Sequence, residues 1–492
     1  MLISDNIGRP NIVLIVTDQW RGDCLGVEGR KGLDTPNLDA LAIQGVRCTH
    51  AYTPCPSCIA ARRTILSGQY PSTHGLIGYV EKQEWMINDT LPAVLKRAGY
   101  HTYLAGRHMH QYPLTKRFGY DHVDDWNVPS RPSAYQRWLA KNAPADAGDM
   151  YGHGIGSNDW VVRPWHLPEY MTDTYWTTER ALEFLEWRDA SCPFFMTVSY
   201  FAPHPPLVPP EFYLNRYLRR DLGNPVCGSW ASPPINNGIG QRTNASEVVL
   251  TGTRWQECAA GYYGLINYVD DQLHRLLAKL PKNTYVLFTS DHGEMLGDHY
   301  RFRKVVPYEG SARVPFLLYG PGIPPNTVIN EPVCLTDIMP TILDLAGVPI
   351  PPTVDGRSIL PLINRPATPP EFEWRQYVHI EHSPCYSPDE GYQCITDGII
   401  KYIWWTADGK EQLFHLEADP HELNDLAGDP ENEDILTKWR TRMITLLQGR
   451  PEGFSDGDRL IPGRQHKGTL PWVMDGKRRS GGEQLEPVKS IT

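Results

Sequence analysis

The stretch Asn11-Ile12-Val13-Leu14-Ile15-Val16-Thr17-Asp18 sets the fold class of this chain. Its apolar residues follow one another without alternation and are mostly β-branched, which is typical of a strand buried on both faces of a parallel sheet. The run ends in Asp18, and α/β folds place ligand chemistry at the carboxyl ends of such strands. The segment therefore predicts a buried strand that delivers a carboxylate to a site.

Similar apolar runs recur along the chain and alternate with stretches of helical spacing. The alternation predicts an α/β fold, with a large, mainly parallel sheet flanked by helices. The further strands are expected at 103–105, 194–200, 284–290 and 314–319, and the helices at 34–42, 90–99, 174–188, 255–280 and 337–346.

The pattern changes after the proline-rich segment 366–370. Short strands separated by turn residues and a late helix predict a small antiparallel α+β subdomain at the C-terminal side. We expect a catalytic α/β domain over 1–370, the subdomain over 371–450 and an extended surface tail over 451–492.

The bulk composition excludes several classes of protein. The chain has 492 residues, 41% of them hydrophobic, and a net charge of −10, which argues against a nucleic-acid binder. No apolar stretch approaches the ~20 residues that span a bilayer. The first ten residues lack the apolar core of a signal peptide, so we expect a cytoplasmic protein unless the chain has been trimmed.

A Cys55-Pro-Ser-Cys58 segment has the spacing of a redox or zinc motif. No second CxxC and no histidine pair follows at zinc spacing, and ten cysteines in a chain of this size are not a dense disulfide framework. The spacing alone therefore leaves the role of the two thiols open.

Acidic and histidine side chains follow two of the predicted strands. Asp18, Asp291 and His292 offer the oxygen and nitrogen ligands of a divalent cation, with Ca²⁺ favoured by the carboxylates and Mn²⁺ allowed by the histidine. An aspartate after a strand is more often a turn or a helix cap than a ligand. The set is more persuasive than any one member, because each lies at the expected end of a buried strand.

The segment from Cys58 to Gly75 resembles the signature of the sulfatase family, in the alkaline phosphatase superfamily. That signature is Cys, any residue, Pro or Ala, any residue, Arg, then a short helix ending in Ser-Gly, and Tyr-Pro-x-x-His-Gly. The resemblance extends from about residue 10 to about residue 450, because other family blocks match in order. They include 11–18, 35–42, Gly106-Arg107, 203–206, Ser290-Asp-His-Gly-Glu294, Lys304, Arg313-Val-Pro, 337–341 and 355–358.

The resemblance implies an alkaline-phosphatase-like fold and a sulfuric ester hydrolase of arylsulfatase type. In that family a maturation enzyme oxidises the cysteine, here Cys58, to formylglycine (3-oxoalanine), which hydrates to a gem-diol. One hydroxyl, held on a divalent metal, attacks sulfur, and the second later expels sulfate as the aldehyde reforms. The implied metal site is formed by Asp18, Cys58, Asp291 and His292, with Gln19 open as a further ligand.

The resemblance also assigns roles around this nucleophile. Arg62 holds a diol oxygen, Lys304 binds sulfate, and His204 contacts the ester oxygen and protonates the leaving group. Arg107 stands where the family usually has lysine. Its partner histidine is His108 or His110, of which we favour His110 as a substrate contact.

Two departures from the family pattern leave alternatives open. Position 60 is Ala instead of the commoner Pro, and Asp18-Gln19 with Asp291-His292 resembles the branch that contains phosphonate monoester hydrolases and choline sulfatases. The leading substrate is a small-molecule or sugar sulfate ester. The alternatives are a phosphonate monoester or phosphodiester hydrolase and a non-enzymatic anion-binding relative with unmodified Cys58. The alcohol half of the ester and a homo-oligomeric state stay open, and we expect variable loops over 79–90, 110–175 and 205–250 to form the pocket.

Overall fold

The computed structural model describes residues 8–126, 132–145, 147–148, 150–235, 242–364 and 373–474. Its strands, in chain order, are β1 (Asn11–Asp18), β2 (Val46–Cys48), β3 (Ala51–Tyr52), β4 (His101–Arg107), β5 (His122–Trp126), β6 (Phe194–Pro203), β7 (Thr284–Ser290), β8 (Phe316–Tyr319), β9 (Thr327–Ile329), β10 (Val333–Cys334), β11 (Val378–His382), β12 (Tyr392–Thr396), β13 (Ile400–Trp405) and β14 (Glu411–His415).

Thirteen α-helices connect or cover these strands in the described ranges. They are α1 (Pro36–Gln44), α2 (Cys58–Ser67), α3 (Pro71–His74), α4 (Leu91–Arg97), α5 (Ala134–Asn142), α6 (Asp173–Trp187), α7 (Glu211–Leu218), α8 (Gly252–Leu277), α9 (Glu309–Ala312), α10 (Ile338–Leu345), α11 (Leu360–Ile363), α12 (Glu433–Leu447) and α13 (Pro471–Met474). None of the described helices is long and apolar enough to cross a membrane.

The main sheet has eight strands in the order β5-β4-β6-β1-β7-β8-β2-β9. Most neighbours are parallel, and β8 runs antiparallel to both β7 and β2. The predicted mainly parallel α/β architecture is confirmed. The β2 and β9 strands, of three residues each, were absent from the sequence-based prediction because they are too short to carry a periodic signal.

Strand β1 is buried on both faces, as its composition predicts. Val13 and Ile15 join the core on one side of the sheet, with Trp20 and α8. Ile12, Leu14 and Val16 join the core on the other side, with α2 and α10. Successive side chains on a strand point to opposite faces, so one continuous apolar run supplies both cores.

The register of β1 brings functional groups to one edge of the sheet. Thr17 pairs with Ser290 at the end of β7, and Val16 pairs with Ser199 on β6. Because the three strands are parallel, the residues that follow them lie at the same carboxyl edge. Asp18 and Asp291 therefore face the same space.

A second sheet lies on the C-terminal side, with the antiparallel order β11-β12-β13-β14. One face packs on α12 through residues such as Trp404 and Trp439, and the other contributes to a core with Tyr52 and Tyr308 of the main part. The predicted antiparallel α+β arrangement is confirmed. The predicted boundary at 370 lies outside the described residues.

The segment after α12 is described as far as residue 474. Phe454 is fully buried against Trp404, and the Leu470 amide donates to the Gly75 carbonyl oxygen. This part of the predicted tail is therefore anchored at two points along the main body. The remainder of the predicted tail, 475–492, lies outside the described residues.

Candidate active site

Cys58 is the first residue of α2, and the whole helix is buried. The helix ends at Gly68, whose positive φ of 67° and N–H bond to the Thr64 carbonyl form a left-handed cap. A Cβ at this position would also lie 2.8 Å from a side-chain carbon of Val354, so both the backbone conformation and the available space favour glycine. The cap ends α2 after Ser67. The other end of the helix, where Cys58 lies, faces the carboxyl edge of the sheet.

Four potential ligand groups converge there. Single atoms of Asp18, Cys58, Asp291 and His292 all lie within 4.8 Å of one another, and all four residues are buried. His292 Nε2 lies 3.6 Å from an oxygen of Asp18 and 3.6 Å from an oxygen of Asp291. The convergence expected from the strand ends is therefore present in the structure.

Two atoms of this cluster, Asp18 Oδ1 and His292 Nε2, have no hydrogen-bond partner among the residues that the structure describes. The other ring nitrogen of the histidine lies 3.0 Å from the Gly293 carbonyl oxygen. A hydrogen bond from Nδ1–H to that carbonyl directs the Nε2 lone pair into the cluster. Unpartnered buried acceptors of this kind fit a divalent cation.

Two arginines compensate the charge of the carboxylates. Arg62 donates from Nε to Asp291 at 2.8 Å and from Nη1 to Ser199 at 2.8 Å, and its Nη2 lies 3.4 Å from Asp18. Arg107 Nε forms an ion pair with Asp18. Burial alone would raise the pKa of Asp18, but Arg107, His204 and Arg62 hold it well below its usual range.

Arg107 lies at the end of β4 after Gly106, where the backbone φ is +99° and a Cβ would lie 2.1 Å from the Ser199 carbonyl oxygen. Its guanidinium stacks 4.7 Å above the Phe201 ring, and its Nη1 has no hydrogen-bond partner in the described part of the chain. A buried cationic donor left open in this way suits an anionic ligand.

Both candidate histidines lie beside Arg107. His110 Nε2 is 3.1 Å from Arg107 Nη2, while His108 Nδ1 accepts a bond from the His110 amide at 2.9 Å. His110 therefore contacts the guanidinium directly, whereas His108 contacts the backbone of His110. The substrate contact assigned to His110 stays a prediction.

Lys304 and His204 form a further polar group beside the cluster. Lys304 Nζ donates to Gln19 Oε1 at 2.7 Å and lies 3.0 Å from His204 Nε2. His204 Nδ1 is 2.6 Å from the Pro205 carbonyl oxygen, so its Nε2 is the acceptor toward the lysine. Burial and the neighbouring Lys304 hold the pKa of His204 well below its ordinary value.

Gln19 is held in place by a residue that the sequence did not single out. Its Nε2 donates to Glu294, and its Oε1 accepts from Lys304. Both polar atoms of the Gln19 side chain therefore have protein partners. These contacts do not support Gln19 as a further metal ligand. The signal for Glu294 was its place in Ser290-Asp-His-Gly-Glu294, inside a matched block.

The two thiols of the CxxC segment differ in environment. Cys55 is buried in an apolar cluster with Ile59, Ala60 and Leu76, and burial raises its pKa well above the ordinary value. Burial also opposes ionisation of Cys58, but Lys304 and His292 leave its pKa below the ordinary value. This difference favours Cys58 over Cys55, and its assignment as the reactive position stays a prediction.

Comparisons with known proteins agree with this site. Residues 10–348 match the Sulfatase family, and residues 297–449 match the C-terminal region of N-sulphoglucosamine sulphohydrolase. The chain is 39% identical to an arylsulfatase of Clostridium perfringens, with 92% of this chain and 98% of the relative covered. It is 30% identical to a multifunctional alkaline phosphatase superfamily protein of Trinickia caryophylli, over 91% of this chain and 99% of the relative.

Solved structures show the same architecture. The phosphonate monoester hydrolase of Agrobacterium radiobacter superposes with a TM-score of 0.74 at 25% identity, covering 89% of this chain and 95% of that one. The fold is thus alkaline-phosphatase-like, as the sequence resemblance implied. From the family match and the relatives, the chain belongs to the sulfatase family of sulfuric ester hydrolases.

Proposed function

We propose that this sulfatase hydrolyses an arylsulfatase-type sulfate ester with a formylglycine nucleophile made from Cys58. The convergence of Asp18, Cys58, Asp291 and His292 within 4.8 Å carries the proposal. In this arrangement Cys58, the residue that we propose is oxidised, lies beside the oxygen and nitrogen atoms that could bind a cation. The relative of Clostridium perfringens that is named an arylsulfatase supports the same reaction.

The residues that would hold the cation are Asp18, Asp291, His292 and the oxidised Cys58. A bound divalent cation would neutralise negative charge and favour ionisation of a hydroxyl at the nucleophile. The two carboxylates favour Ca²⁺, whereas the imidazole of His292 leaves Mn²⁺ as the alternative.

The remaining polar side chains suit an anionic sulfate group. Arg107 Nη1 donates no hydrogen bond to the described residues, and Lys304 carries three N–H donors on a flexible stem. Arg62 is already bonded to Asp291 and Ser199, which fixes its guanidinium beside Cys58. We assign sulfate binding to Arg107 and Lys304, with His110 beside Arg107, and orientation of the nucleophile to Arg62.

The leaving oxygen needs a proton, and two nitrogens are placed to share one. Lys304 Nζ and His204 Nε2 are 3.0 Å apart, so a proton can move between them before it reaches the substrate. A bound anion beside His204 favours the imidazolium form, which opposes the effect of burial. We therefore assign proton donation to His204, supplied through Lys304.

The test uses enzyme expressed with a formylglycine-generating maturation enzyme and measures sulfate released from 4-nitrophenyl sulfate. We expect turnover by the wild type and none by Cys58→Ala. Cys55→Ala is the matched control, because Cys55 is a nearby buried thiol in an apolar cluster, and it should keep turnover. Equal activity of the wild type and Cys58→Ala would contradict the proposal.

A second candidate function is hydrolysis of a phosphonate monoester or phosphodiester at the same site. The Asp18-Gln19 and Asp291-His292 pairs and the likeness to a phosphonate monoester hydrolase favour it. Sulfate and phosphonate esters are tetrahedral anions of similar size, so both fit one site. A higher kcat/KM for an aryl phosphonate monoester than for the matching aryl sulfate would make this the main activity.

A further inference from the structure

A cavity opens beside His204, and none of the four residues of the cation-binding cluster lines it. The His204 ring stacks on Phe201 at 4.7 Å, and the Arg107 guanidinium covers that ring. A group held in this cavity is therefore next to an ester bound by Arg107 and Lys304. The walls are mainly aromatic and apolar, and include Trp126, Tyr135, Trp165, Phe201, Leu265 and Tyr268.

Three hydroxyl groups along these walls, those of Tyr135, Thr172 and Tyr268, already have protein partners. Tyr135 OH donates to the Met171 carbonyl oxygen at 2.6 Å. Thr172 Oγ1 lies 2.8 Å from Tyr268 OH and accepts from the Tyr175 amide at 3.1 Å. A sugar ring would need unengaged polar groups for its own hydroxyls. The walls favour an apolar body instead.

Asp173 is the one acidic side chain among the described residues that line the cavity. It is the first residue of α6, directly after the N-cap Thr172. No ion pair joins it to a lysine or arginine within the described ranges of the chain. Burial raises its pKa to about 6, so it is ionised above that pH; the Thr174 amide, its own amide, the Trp126 indole N–H and the charge of Arg107 act in the opposite direction.

We propose that this cavity binds the alcohol half of the ester, and that the preferred alcohol joins an aromatic ring to an ammonium group. The ring packs against Trp126, Phe201 and Trp165, and the ammonium faces Asp173. Aromatic walls attract a cation through their π-faces, and a half-buried carboxylate that forms no ion pair with a described lysine or arginine completes the complementarity. This inference rests on the proposed function, because the alcohol must be linked to sulfate at Lys304.

The test compares three aryl sulfates with similar phenol leaving groups. They are tyramine O-sulfate, 4-ethylphenyl sulfate and the O-sulfate of 3-(4-hydroxyphenyl)propanoate. At slightly alkaline pH we expect kcat/KM to be on the order of tenfold higher for the ammonium ester than for the neutral one, and lowest for the carboxylate. Equal kcat/KM for the three esters would overturn the assignment.

A substitution separates the carboxylate from the aromatic walls. In Asp173→Asn the ratio of kcat/KM for the ammonium and neutral esters should fall to near one. The ratio is measured within one variant, so a general loss of active protein does not alter it. Asp189→Asn, which removes an exposed carboxylate after α6, should keep the wild-type ratio. An unchanged ratio in Asp173→Asn would overturn the role of this residue.

A binding measurement distinguishes failure of the cavity assignment from failure of the proposed function. Calorimetry compares tyramine with 4-ethylphenol on the full chain, without turnover. Tyramine binding that is lost in Asp173→Asn supports the cavity assignment even if no sulfate ester is hydrolysed. Hydrolysis of the neutral ester, with tyramine bound no more tightly than 4-ethylphenol, would overturn the cavity assignment and leave the sulfatase function intact.

Discussion

Lys304 Nζ and His204 Nε2 lie 3.0 Å apart, and His204 also lines the aromatic cavity. The contact joins the lysine assigned to sulfate with the histidine assigned to the leaving group. The lysine donates and the imidazole accepts, because the other ring nitrogen faces the Pro205 carbonyl oxygen. This shared proton makes the pair the source of acid catalysis in our account.

The first prediction concerns His204. His204→Ala should lower kcat/KM by roughly 10²- to 10⁴-fold for esters of poorly acidic alcohols, which need protonation as they leave. The loss should be much smaller for 4-nitrophenyl sulfate, whose leaving group is stable as an anion. The measurement is a plot of log kcat/KM against leaving-group pKa, which should become steeper in the variant. An unchanged slope would remove His204 from proton donation.

The second prediction concerns Gln19 as a positioning residue. Gln19 accepts from Lys304 and is itself held by Glu294, so Gln19→Ala should free the lysine without removing it. We expect a rise in KM larger than the fall in kcat, and an unchanged metal content by mass spectrometry of elements. Gln19→Glu keeps an acceptor for Lys304 and should recover part of the loss. Loss of the metal in Gln19→Ala would instead make Gln19 a ligand.

The third prediction concerns the cation. Chelation should lower the melting temperature of the mature enzyme, and Ca²⁺ or Mn²⁺ should restore it, because a ligand that binds the folded state stabilises it by about 2.7 kcal/mol at a hundredfold excess over Kd. His292→Ala removes one unpartnered nitrogen and should reduce this cation-dependent shift. Asp389→Asn, on an exposed turn, is the control. Equal shifts in both variants would place the cation elsewhere.

The fourth prediction concerns the link between the C-terminal sheet and the main part. Lys401 on β13 is fully buried, and its Nζ pairs with Glu309 at 2.8 Å and Glu422 at 2.7 Å. Lys401→Met leaves the buried Glu422 without its cation, whereas Glu309 keeps Arg313 at 3.3 Å, and the loss should cost about 3–5 kcal/mol of unfolding free energy. Denaturant unfolding measures the effect.

The control for this fourth prediction is Lys410→Met, which alters an exposed lysine in the turn between β13 and β14. Surface substitutions of this kind usually change stability by less than about 0.5 kcal/mol. A loss in Lys401→Met no greater than in this control would show that the buried ion pairs are not important for stability.

The residues at the strand ends could be predicted from sequence because a buried strand is recognised from a short, local run of residues. A continuous β-branched run identifies β1 and β7, and parallel neighbours must deliver Asp18 and Asp291 to one edge. The prediction of a cluster followed from that rule. The family resemblance then added Arg62, Lys304 and His204, whose spacing alone carries no such signal.

Other parts of the site depend on contacts that the sequence does not express. Glu294 follows a glycine in a loop, a position typical of a surface residue, yet it is fully buried by Gln19 and the Arg303 amide. Asp173 has the pattern of an ordinary first-turn carboxylate. Its position in an aromatic cavity arises only when β5, β6 and α8 meet around it.

The most direct test of the central claim is the mass of the tryptic peptide that carries Cys58, taken from enzyme matured in its native host. The account predicts the mass of the aldehyde or its hydrate at residue 58, reactivity of that peptide with a hydrazide probe, and an unmodified thiol at Cys55. A peptide in which Cys58 is always an intact thiol, from enzyme that still hydrolyses sulfate esters, would contradict the account.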